Sequence, residues 1–120
     1  MYDRLTSAGQ RPGTPLYMSP EQVLNTKPVD QRTDIFSMGV CLYEALAQRE
    51  PFRGQNIQET FENIINDTPA KPSEVAKQFE IPPVLDEACM KALQKEPSDR
   101  YSTILELGEV LRIAAEQMPD

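Results

Sequence analysis

Histidine is the commonest general base and the commonest metal ligand, and this chain of 120 residues contains none. The two cysteines, Cys41 and Cys89, each sit inside an apolar helical pattern. Neither has a second Cys or a His at ligand spacing, so both are expected to be buried reduced thiols acting as small hydrophobes. A disulfide between them would need an oxidising compartment, and a zinc site is excluded. The remaining chemistry belongs to hydroxyls and charges. Thr6, Ser7 and Thr14 lie in a polar N-terminal stretch, Glu21 and Asp34 stand at the starts of helical patterns, and Arg100 precedes the last one. Twelve basic against nineteen acidic residues give a net charge of −7, which leaves no basic surplus for a nucleic-acid footprint.

Behind those residues the elements are helical. Met1 to Pro20 shows no periodicity and is punctuated by Gly9, Pro12, Gly13 and Pro15, so it reads as an irregular loop. Ser19-Pro20-Glu21-Gln22 starts a short helix with Ser at the cap, Pro at the first helical position and an acid in the first turn; the helix ends near Leu24. Thr33-Asp34 then leads into IFSMGVCLYEALA, whose apolar residues point to every side. A helix hydrophobic all round is normally buried on all faces, so this one must be surrounded. Asp34 is expected near its start, where a carboxylate is favoured by the helix dipole and can cap beside Thr33.

A third helix fits 57–65, with Ile57, Phe61, Ile64 and Ile65 on one stripe. The connection 68–83 carries four prolines and is expected to be irregular. A fourth helix is expected over 84–94, with Leu85, Ala88, Cys89, Ala92 and Leu93 inward. A fifth covers 102–116, capped by Ser102 and with Ile104, Leu107, Leu111 and Ala114 as its stripe. No run alternates at period two for long enough to make a strand, so the class is all-α, about five helices around one buried central helix. The apolar stretch 35–47 is too short and too interrupted to cross a bilayer, and MYDRLTSAGQ lacks the apolar core of a signal peptide. A cytoplasmic location is expected.

Three segments, in order, carry a resemblance: Gly13-Thr14-Pro15-Leu16-Tyr17-Met18-Ser19-Pro20-Glu21, Asp34-Ile35-Phe36-Ser37-Met38-Gly39, and Arg100-Tyr101 before the last helix. Together they resemble the C-terminal part of a serine/threonine protein kinase domain of the bacterial receptor-like type. The resemblance implies that residues 1–20 are an activation segment with its substrate-recognition loop, and 21–117 the helical C-lobe. It implies that Gly13, Thr14 and Pro15 receive the substrate, that Glu21 and Arg100 form a buried structural ion pair, and that Asp34 anchors the central helix to the catalytic loop. Thr6 and Ser7 become candidate phosphorylation sites, with Arg4 and Arg11 as partners for the added charge; the bland alternative is ordinary loop hydroxyls.

The parts that handle ATP are missing from the chain. It has no G-x-G-x-x-G, no V-A-I-K, no H-R-D and no D-F-G. The expectation is therefore a truncated kinase, without N-lobe or catalytic loop and inactive alone. The intact family domain uses ATP and Mg, while this chain is expected to hold no cofactor. Expected partners are protein substrates of the parent, the missing lobe, or a second copy meeting exposed apolar surface. The competing reading is a free-standing acidic helical interaction module presenting the Pro69–Pro83 connection.

Overall fold

The computed structural model describes residues 15–25 and 28–117. Among these there is no strand, and six α-helices follow one another: α1 Pro20–Leu24, α2 Gln31–Ala47, α3 Ile57–Asn66, α4 Pro72–Val75, α5 Pro83–Ala92 and α6 Ile104–Gln117. A 3₁₀ turn, Pro97–Asp99, separates α5 from α6. No helix is long and apolar enough to cross a membrane.

Local chemistry explains most of the boundaries. α1 opens on a capping box: the Ser19 hydroxyl accepts from the Gln22 amide while the Gln22 side chain accepts from the Ser19 amide. α2 begins earlier than its apolar run suggests. Asp30 is its cap, accepting from the Arg32 amide at 2.8 Å, so Thr33 and Asp34 already lie in the first turn and neither caps. α4 is an extra turn inside the connection expected to be irregular. Pro72 stands at its first position, and Glu74 reaches back to the Lys71 amide. α5 ends two residues short of the expected Gln94. α6 is capped by Thr103 and not Ser102: the Thr103 hydroxyl accepts from the Glu106 amide, and the Glu106 carboxylate accepts from the amides of Ser102 and Thr103.

α2 is the centre of the packing. It touches α4, α5 and α6, and α5 packs in turn on α6. Phe36, Val40, Tyr43 and Ala47 from α2 join Phe52, Ile64, Cys89 and Leu93 in one cluster, while Ile35 joins Ala88, Ala92, Tyr101 and Leu107 in another. Phe36 and Phe52 stack with ring centroids 5.7 Å apart. Gly39 lets α2 and α5 approach closely, because a Cβ there would stand 2.8 Å from the Ala92 Cβ and 3.1 Å from a Leu93 methyl.

Burial on all faces of α2 does not hold. Met38 is 40% exposed, and Cys41 and Ala45 are exposed beside it, with Asp34 half-buried on the same stripe. Cys41 is thus a surface thiol, contrary to expectation, whereas Cys89 is fully buried; both are free. Ile57 and Ile104, placed inward by their spacing, are 43% and 47% exposed. Each sits at the first position of its helix, where the chain has only begun to turn onto the core.

Candidate functional site

The polar residues of greatest interest converge where the segment 15–21 crosses the N-terminal half of α2. Tyr17 is held at both ends along that helix. The Ser37 hydroxyl donates to the Tyr17 carbonyl at 2.6 Å, and two turns further on Glu44 accepts from the Tyr17 phenol at 2.7 Å. That hydrogen bond to a carboxylate, together with burial, pushes the phenol pKa up to about 12. A serine within a buried apolar run is the local sign of the first contact, since a buried hydroxyl must find an acceptor. Nothing near Glu44 in the sequence announces the second. Of Gly13, Thr14 and Pro15, expected to receive the substrate, the structure describes Pro15, which is half-buried. Thr6, Ser7, Gly13 and Thr14 lie outside the described residues.

Two residues later the chain enters α1, and the structure brings Glu21 and Arg100 together. Arg100 Nη1 donates to Glu21 Oε2 at 2.7 Å and Nη2 to Oε1 at 2.8 Å, with the two side chains 0% and 3% exposed. Every remaining guanidinium donor is also used. Nε donates to the Gln94 carbonyl, Nη1 to that of Arg32, and Nη2 to that of Lys95. The guanidinium also lies 4.9 Å from the Phe36 ring centroid. Burial opposes the charge on Glu21, but hydrogen bonds from Arg100 and Thr33 outweigh it and hold the carboxyl pKa down at about 2.

Lys95 extends the same network, and sequence reasoning passed over it. Its backbone carbonyl is gripped by Arg100, while its ammonium donates to the Ile64 carbonyl at 2.7 Å and lies 4.4 Å from the Phe52 ring centroid. It therefore caps the C-terminus of α3, where cations are favoured by the helix dipole. Burial lowers its pKa to about 8. A lysine in a polar turn gives no local sign of this, because its partner lies about thirty residues earlier.

Asp34 takes another place: half-buried in the first turn of α2, in line with Met38, Cys41 and Ala45. A shallow groove of about 480 Å³ beside α5 mixes Lys71 and Lys91 with Asp86, Glu87 and Asp99, and includes none of the residues just described. Among the described residues no three His, Cys, Asp or Glu side chains converge to hold a metal ion.

Comparison with known proteins agrees with this layout. Residues 2–113 match the model of the protein kinase domain. The serine/threonine-protein kinase PknD of Chlamydia felis is 37% identical over 110 residues, which are 91% of this chain and 11% of that protein. The serine/threonine-protein kinase PknB of Mycolicibacterium smegmatis is 36% identical over 109 residues, 90% of this chain and 17% of that protein. Among solved structures, the twitchin kinase region from C. elegans superposes with a TM-score of 0.69 at 29% identity, covering 78% of this chain and 16% of that one. The chain thus spans between about a tenth and a sixth of the length of these relatives.

Proposed function

The chain belongs to the protein kinase domain family, and from that premise we propose that it forms the C-terminal helical lobe of a serine/threonine protein kinase, with residues 1–20 as activation segment and substrate-recognition loop and 21–117 as the lobe itself. The observation that carries this reading is the buried two-pronged pair of Glu21 and Arg100. It ties the end of the segment 15–21 to the turn before the last helix. The clamp on Tyr17 supports it by holding that segment along α2 in a defined direction.

In the intact domain the protein substrate would lie against Gly13, Thr14 and Pro15, and Asp34 would hold the catalytic loop. The exposed line of Met38, Cys41 and Ala45 beside Asp34 supports a further segment of kinase domain seated there. Thr6 and Ser7 are proposed phosphate acceptors. ATP and protein substrates place the work of such a kinase in the cytoplasm. Phosphoryl transfer is mostly positioning and electrostatic stabilisation by a Gly-rich loop, a Lys, metal-holding Asp and Asn, and a base Asp. The 120 residues contain none of the motifs that carry these groups. On its own, then, the chain neither binds ATP nor transfers phosphate. Incubation with Mg·ATP and a generic acceptor protein should give no phosphorylation. Turnover that disappears on mutating a residue of this chain would sink the reading.

A further inference from the structure

Two consecutive residues in the first turn of α2 serve opposite halves of the buried ion pair. The Arg32 carbonyl accepts from Arg100 Nη1 at 2.9 Å, and the Thr33 hydroxyl donates to Glu21 Oε2 at 2.6 Å. The same Oε2 accepts Arg100 Nη1 at 2.7 Å, so one carboxylate oxygen is shared between guanidinium and hydroxyl. We propose that Thr33 is a positioning residue. Its hydroxyl fixes the carboxylate of Glu21 in the orientation that accepts both prongs of Arg100, and so keys the segment 15–21 to the central helix as well as to the C-terminal turn.

Three physical features lead there. Thr33 is 0% exposed, and a buried hydroxyl without a partner is costly, so its proton must go somewhere. In helix interiors a threonine hydroxyl often turns back to the carbonyl one turn earlier. At the third position of α2 this one crosses instead to α1, twelve residues back in the chain. Second, a β-branched threonine in a helix has only two favoured χ1 rotamers, so the hydroxyl has few directions open to it. Third, an O–H to carboxylate contact of this length is a charge-assisted bond, stronger than one between neutral groups. Because Thr33 spends its proton on Glu21, only its lone pairs face the Ser19 hydroxyl, which lies 3.5 Å away and 3.4 Å from the Gln22 side-chain oxygen. Glu21 Oε2 thus receives two donors, the Thr33 hydroxyl and Arg100 Nη1.

That the keyed segment is a recognition segment rests on the proposed function; the keying itself does not. The test compares Thr33→Val, which keeps the shape and loses the hydroxyl, with Thr33→Ser, which keeps the hydroxyl, in the full chain. The readouts are the folding equilibrium constant from urea titration and the solvent-exchange rate of the Arg100 Nη–H protons by NMR. Thr33→Val should lower the folding constant about tenfold, the scale of a lost hydrogen bond to a charged group, and speed Arg100 Nη–H exchange. Thr33→Ser should restore the slow exchange. If Thr33→Val leaves the Arg100 exchange unchanged, or Thr33→Ser exchanges as fast as Thr33→Val, the positioning role is wrong and Thr33 is packing only. Neither outcome bears on family membership, and phosphorylation by the chain alone would leave this inference standing.

Discussion

Glu21 and Arg100 are 79 positions apart in the chain and meet through two hydrogen bonds of 2.7 and 2.8 Å, with no water-facing surface on the arginine side chain. All five guanidinium donors are used, three of them on carbonyls at the ends of α2 and α5. Buried charge is expensive unless its hydrogen bonding is complete, and here it is complete. The pair therefore works as a joint between the start of the helical lobe and its last helix, and it makes the lobe sensitive to loss of either partner.

Glu21→Gln should cost ~3–5 kcal/mol at neutral pH, because Arg100 is left charged and dry. The effect has a defined acid limit. The carboxyl pKa is depressed to about 2 in the fold, against about 4.3 in an unfolded chain, so the unfolded state binds the proton first as pH falls. The stabilisation is fully present above the unfolded value and is lost as pH falls through the folded one. Urea titrations from pH 7 to pH 2 should show the wild type converging on Glu21→Gln; a constant gap across that range would contradict the assigned role.

Gly39→Ala tests the close approach of α2 and α5. The new methyl would stand 2.8 Å from the Ala92 Cβ, closer than two carbons can sit. Both helices are central to the core, so the strain cannot be relieved at a loop. A loss of ~1–3 kcal/mol is expected in spite of alanine's better helix propensity. An unchanged or raised midpoint of thermal unfolding would show that the helices can separate at no cost.

The cysteines should differ in reactivity. Cys41 is exposed on the open stripe of α2, whereas Cys89 is fully buried, shares its Sγ–H with the Gly39 carbonyl, and is pushed up to about 12 by that burial. A thiol reagent added to the native chain should modify Cys41 and spare Cys89 until denaturant is added, as read by peptide mass analysis. Equal labelling of both under native conditions would mean that the α2–α5 contact opens readily.

Much of the fold was open to reading along the chain. Ser19-Pro20-Glu21-Gln22 announces α1 because a capping box is local chemistry, and the apolar run 35–47 announces a central helix, though one stripe of it stays exposed. The three kinase-like segments point to the family that the comparisons establish. Errors came where a local signal had a rival nearby. Thr33-Asp34 and Ser102 looked like caps, but Asp30 and Thr103 stand at the positions from which a side chain reaches the first free amides.

Hydrophobicity and capping act within about one helical turn, so composition and spacing were enough to specify five of the six helices and which of them is central, though not the first residue of each. They could not specify which side of α2 stays wet, since Met38 and Val40 are equally apolar and only the placement of α4, α5 and α6 leaves one at 40% exposure and the other at 0%. Nor could they show that Thr33 donates to Glu21 or that Lys95 caps α3. Those bonds join residues brought close only when the whole chain has folded, and a hydroxyl or an ammonium looks the same in sequence whichever distant acceptor it meets.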